Sequence, residues 1–182
     1  MKRDDAKAEL VSHMRSLRAF ALSLTRNSAQ ADDLVQDTVL KAWTNFDKFQ
    51  EGTNMRAWLF TILRNTFYSQ RRKVAREVED GDGAMVEKLS VKPAHDGRLQ
   101  MNDFRMALDT LPAEQREVLI LVGALQYSYE EAAEVCGVKV GTVKSRLNRG
   151  REAISMAMGL AEGEELEMTD ASTRAVVNAS RT

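Results

Sequence analysis

Cysteine and histidine are scarce in this chain. It has one cysteine, Cys136, and two histidines, His13 and His95. A single thiol excludes an intramolecular disulfide and fits a reducing compartment. One thiol and two histidines far apart in sequence make no closed zinc site. No nucleophile–base pair, phosphate-cradling loop or metal-ligand spacing stands out, so no catalytic residue, cofactor or metal is expected, and Cys136 is read as a packing residue. Long apolar runs are also missing. The longest, Val118-Leu119-Ile120-Leu121-Val122 with Leu125 beyond it, falls well short of the roughly 20 residues that span a bilayer. Met1-Lys2-Arg3-Asp4-Asp5 lacks a signal core, and the expected location is the cytoplasm. Net charge is −1, so no global positive field draws the chain to nucleic acid; DNA binding would have to come from local patches. Proline occurs twice, and no period-two run is bounded by turns. What remains is an all-α, soluble chain.

Helical periodicity divides it. Leu10, Met14, Leu17, Ala21 and Leu24 form the buried stripe of a first helix over about residues 5 to 25. Asn27-Ser28 breaks it, and Asp32-Asp33 open a second, since acidic residues favour a helix N-terminus. Val35, Val39, Ala42, Trp43 and Phe46 make its buried side. Asp33, Gln36 and Asp37 make a separate acidic and polar face, either solvated or docked on a basic partner.

A third helix runs from Met55 to about Arg76, with Met55, Leu59, Ile62, Leu63 and Thr66 on one side. Phe60, Arg64, Tyr68 and Arg71 lie roughly opposite. Between Gly52 and Arg76 the charged residues are Arg56, Arg64, Arg71, Arg72, Lys73 and Arg76, without an acid. Aromatics interleaved with arginines suit single-stranded nucleic acid, where each stacked base contributes about 1–3 kcal/mol. Phe60 and Tyr68 packing on the first helix or on another domain is the competing reading.

Residues 77–97 are acidic and contain glycine and proline, as a flexible linker does. A second domain starts near Arg98. Met101, Phe104, Leu108 and Leu111 stripe its first helix; Pro112 suits the first position of the next, which Val118, Leu119, Val122 and Leu125 bury. Residues 1–76 and 98–158 are thus two small helical domains, each near the lower size limit for an independent core. An acidic tail, 159–182, reads as unstructured.

The second domain closes with two short helices. Ser128 and Glu131 have the spacing of a capping box, and Gly137 suits a left-handed helix end. In the helix that follows, Val140, Val143, Leu147 and Ile154 share one side; Thr142, Ser145 and Arg149 point away, with Lys144, Arg146 and Arg151 on the flanks. Hydroxyls and guanidinium groups on one face suit a DNA major groove. An ordinary helical hairpin with a solvated basic face is the alternative.

These segments, in this order, resemble the extracytoplasmic-function group of bacterial sigma factors, which keep the second and fourth conserved sigma regions. Asp32-Asp33-Leu34-Val35-Gln36-Asp37-Thr38 with Lys41-Ala42-Trp43 looks like the core-polymerase-binding segment. Tyr129-Glu130-Glu131-Ala132-Ala133 and Val140-Gly141-Thr142-Val143-Lys144-Ser145-Arg146-Leu147 look like the fourth region. Pro93-Ala94-His95-Asp96-Gly97 with Asp103-Phe104-Arg105 looks like the general-stress-response subgroup. The resemblance implies a non-enzymatic subunit that binds core RNA polymerase through Asp33, Gln36 and Asp37. It implies promoter DNA contacts at −10 through Asn54, Phe60, Arg64, Tyr68, Arg71 and Arg72. At −35 it implies Lys139, Thr142, Lys144, Ser145, Arg146 and Arg149; Lys139 stands where a small capping residue is common. It further implies a small anti-sigma partner of the NepR type. The competing function is a sigma mimic that sequesters an anti-sigma protein and binds no DNA.

Overall fold

The computed structural model describes residues 3–50, 52–80 and 98–159, and among these every regular element is helical. Helix α1 (Arg3–Thr25) and helix α2 (Ser28–Thr44) form a hairpin. Leu10, Leu17, Ala21 and Leu24 are buried, as their spacing predicts, and Phe20 joins them. Arg26 turns the chain at φ 57°. The side chain of Asn27 then accepts the N–H of Gln30 at 3.0 Å. With one of its orphan N–H groups satisfied there, α2 starts at Ser28, ahead of the Asp32-Asp33 pair from which charge alone would start it. Asp32 serves tertiary structure instead: both its oxygens receive the Arg18 guanidinium, at 2.6 and 3.2 Å.

On α2, Val35 and Ala42 are buried together with Ala31, Leu34 and Thr38. Trp43 is 38% exposed, contrary to its place in the stripe. It lies beneath the Lys7 ammonium, 5.4 Å from the ring centre, and beside Phe46. A short 3-10 turn, Phe46–Lys48, sets Phe46 and Phe49 against Trp58.

Helix α3 (Met55–Asp80) runs past the expected boundary at residue 76, so Glu77 to Asp80 belong to it; Glu77 pairs with Lys73 one turn back at 3.8 Å. The rest of the linker, 81–97, with the Pro93–Gly97 motif, and the tail, 160–182, lie outside the described residues.

The second domain comprises α4 (Arg98–Thr110), α5 (Ala113–Leu119), α6 (Tyr129–Cys136) and α7 (Val140–Ala157). Pro112 caps α5 from outside rather than occupying its first position: at ψ 144° it is extended, and its carbonyl accepts the N–H of Arg116 at 3.1 Å. After Leu119 the helix widens into a π turn, Ile120–Ala124, closed by the N–H of Leu125 on the carbonyl of Ile120 at 2.9 Å. The extra residue changes the register, which leaves Val122 and Leu125 half-buried while Leu121 and Tyr127 go inside. Helix α7 crosses α5 at Gly150, where a Cβ would come within 2.7 Å of a Leu119 methyl; a side chain there would force the helices apart.

The two domains share one apolar cluster. Phe20, Phe60 and Leu63 of the first lie in it with Val118, Leu121, Tyr127 and Val135 of the second. Phe60 bridges them, 5.2 Å from the Phe20 ring and 5.4 Å from the Tyr127 ring, and is fully buried. Helix α3 therefore buries two faces, one on its own hairpin and one beneath the second domain. Two domains too small for ample cores complete each other.

Candidate nucleic-acid interface

Helices α6 and α7 are built as their residues dictate. The Ser128 hydroxyl accepts the N–H of Glu131 at 3.1 Å, and the Glu131 carboxylate accepts the N–H of Ser128 at 2.8 Å, completing the capping box. Gly137 closes α6 at φ 64°, in the left-handed region. Cys136 is buried behind it. Burial, reinforced by the Glu117 carboxylate, pushes its thiol up to about 12, far from the thiolate a nucleophile needs.

Lys139 caps α7 without a side-chain hydrogen bond. Val143, Leu147 and Ile154 are fully buried on one side of α7; Lys144, Ser145 and Arg149 are exposed on the other, with Thr142 at the margin. Lys144 also covers the Tyr129 ring at 5.5 Å. Arg151 departs from its expected flank position and is 4% exposed. Burial lowers its pKa, opposed by an interaction with Tyr129; it is a structural residue.

On α2, Asp33, Gln36 and Asp37 are all exposed. Asp37 accepts a hydrogen bond from Gln70 of α3 at 2.9 Å, which ties this face to the basic helix behind it.

The residues of α3 divide into two sets. Arg71 and Arg72 are exposed, Arg71 lying 5.7 Å from the Phe67 ring. Asn54 is exposed at the helix start; its Oδ1 accepts the N–H of Ala57 at 3.1 Å, and its amide donates to Glu131 at 3.2 Å. Phe60, Arg64 and Tyr68, by contrast, are covered by the second domain. The exposed aromatics of the single-strand reading are not found, and the packing alternative holds in this arrangement.

Arg64 and Tyr68 pack around a residue that sequence reasoning passed over, Glu117 of α5, which is fully buried. Arg64 donates to its carboxylate through Nε at 3.0 Å and Nη2 at 3.1 Å. The Tyr68 hydroxyl donates at 3.0 Å, and Arg146 of α7 reaches it at 3.5 Å. Burial works against the Arg64 charge, but the bonds to Glu117 outweigh it and its pKa rises. Burial and the same carboxylate push the Tyr68 phenol up, so it remains a donor. Removing one partner from a buried ion pair commonly costs about 3–5 kcal/mol, because the other charge is left stranded. A signal was present in the sequence: Ala113, Glu117 and Leu121 follow at i, i+4 and i+8, which puts an acid on a buried stripe.

Residues 10–77 match the family model for sigma-70 region 2, and residues 101–154 match that for sigma-70 region 4. The chain belongs to the extracytoplasmic-function group of sigma-70 factors. It is 51% identical to the sigma factor EcfG of Rhodopseudomonas palustris over 96% of both chains. It is 34% identical to SigC of Mycobacterium tuberculosis, over 76% of this chain and 73% of that one. Among solved structures it resembles the sigma factor RpoE of Bartonella quintana in complex with the anti-sigma factor NepR. That likeness has a TM-score of 0.77 and 49% identity over 87% of this chain and 99% of that one. It also resembles CnrH in complex with the cytosolic domain of CnrY (TM-score 0.64, 28% identity, 87% and 90% of the chains). As a sigma factor the protein is a non-enzymatic subunit that binds core RNA polymerase and promoter DNA to start transcription. Among the described residues, no helix of this sigma factor is long and apolar enough to cross a membrane, and no group of His, Cys, Asp and Glu could hold a metal ion.

Proposed function

We propose that this sigma factor reads a −35 element with α7 and a −10 element with α3, while the polar face of α2 docks on core polymerase. The observation that carries this is the sidedness of α7: three fully buried apolar residues hold it in the domain and turn Lys144, Ser145 and Arg149 outward. An arginine on a base edge supplies about 1–3 kcal/mol of discrimination, with Lys139, Thr142 and Arg146 beside it on the duplex. Asn54, Arg71 and Arg72 meet the −10 strand, joined by Phe60, Arg64 and Tyr68 once the second domain moves off them. Extruding a base costs a few kcal/mol, which stacking on aromatic rings offsets. Asp33, Gln36 and Asp37 meet basic helices of the largest polymerase subunit. Specificity is split between two modest sites, and polymerase sets their spacing.

Likeness to EcfG and to RpoE held by NepR supports a role in a stress response under a small anti-sigma protein of the NepR type. The test is run-off transcription with purified core polymerase. The expected result is initiation at specific promoters that depends on both elements. No transcript from any genomic promoter, together with tight binding to an anti-sigma protein, would make the chain a mimic.

A further inference from the structure

We propose that Glu117 is an internal stand-in for a nucleic-acid phosphate. Its carboxylate occupies the donors with which α3 meets DNA, and it latches the two domains together until core polymerase draws them apart. The inference rests on the reading of α3 given above and adds its regulation.

The chemistry is that of a competitor. A guanidinium fork binds carboxylate and phosphate in the same two-bond geometry, and Arg64 already makes both bonds to Glu117. The Tyr68 hydroxyl takes a third. All three donors come from α3, across the domain seam. Arg146 approaches from α7 on Glu117's own side, so one carboxylate engages residues proposed for both promoter elements. A charge buried this fully is tolerable only when its partners are in place. Closure supplies Arg64 and Tyr68; separation returns Glu117 and Arg64 to water.

Contacts around the latch hold the seam in register. Arg56 donates to the carbonyl of Leu125 and covers the Tyr127 ring at 4.2 Å. Asn54 reaches Glu131 at 3.2 Å, and Arg26 reaches the carbonyl of Asp109 at 2.9 Å. The α2 face lies outside this seam, with Asp33, Gln36 and Asp37 exposed. Polymerase can therefore dock on the closed chain, whereas the −10 strand cannot reach Phe60, Arg64 and Tyr68. Core binding precedes melting because the same domain that covers α3 must first be moved.

The test compares the full chain with E117Q, which keeps the side-chain shape and removes the charge. Three readouts are needed: helicity by circular dichroism, radius of gyration by small-angle scattering, and binding of a labelled oligothymidine strand by fluorescence anisotropy. A latched chain shows an apparent affinity reduced by its small open fraction. E117Q should be expanded, equally helical, and about tenfold tighter on the oligonucleotide. Arg64→Gln, measured by scattering alone, should expand the chain likewise and guards against an effect confined to the second domain. If both variants keep wild-type compactness, the latch is refuted. If both expand and E117Q gains no affinity, the latch stands and the assignment of α3 to the −10 strand fails.

Discussion

Arg146 and Arg149 are three residues apart on α7, yet they stand in different surroundings. Arg146 is half-buried with its guanidinium toward Glu117, while Arg149 is exposed. Arg149→Ala should therefore lower −35 discrimination by about 1–3 kcal/mol and leave core polymerase binding intact. Transcription from matched promoters with wild-type and altered −35 elements checks this; an unchanged preference removes Arg149 from the readout. His13 gives a pH prediction. Burial lowers its pKa below 6.5, with Arg56 adding to the effect and Glu9 opposing it. The unfolded chain thus binds more protons than the folded one just below pH 6.5. The contribution of neutral His13 is complete above that value and is lost as pH falls through the folded pKa. His13→Gln should flatten the fall in denaturation midpoint between about pH 7 and pH 5; an identical slope would assign that fall to other groups.

Among elements, the helix-turn-helix is the most local. Ser128→Ala removes one half of the capping box and should cost about 1 kcal/mol, read as a lower thermal midpoint without loss of fold. This element was also the most legible in the sequence. Ser128, Glu131 and Gly137 act on backbone groups within a few positions of themselves, so spacing alone places the ends of α6. The stripes of α1 and α7 were legible for the same reason. Legibility failed where partners are distant. The start of α2 hung on whether Asp32 serves its own helix or Arg18, fourteen residues back. Phe60 reads as an exposed aromatic until Tyr127, on another domain, is placed against it. Glu117 is one acid at the edge of an apolar run until Arg64, fifty-three residues away, turns it into an ion pair. Candidate residues on α2 stand outside, as do Lys144, Ser145 and Arg149 on α7, whereas Arg146 and the Phe60, Arg64 and Tyr68 part of the α3 set are turned into contacts that helical periodicity does not encode.

The whole molecule behaves as two domains that share one apolar cluster, with a second cluster around Phe104, Leu111, Leu119 and Ile154 inside the second domain alone. Phe60 links the Phe20 side to the Tyr127 side, so neither domain can melt without exposing rings that the other covers. We expect one unfolding transition, coincident by circular dichroism and calorimetry. Two resolved transitions would mean that the shared cluster contributes little. Phe60→Ala should cost about 3–5 kcal/mol, large enough that its loss of activity would reflect folding before it reflects promoter melting.

The π turn at Ile120–Ala124 has a geometric consequence. It adds one residue to a helix whose residues are spaced about 100° apart, and left-handed Gln126 then brings the Tyr127 N–H back to the carbonyl of Leu121. A one-residue deletion between 120 and 124 would restore a uniform screw and swing Tyr127 roughly a quarter-turn off the Phe60 ring. The angular docking of one module on the other is thus keyed to a single inserted residue, like the offset tooth of a gear.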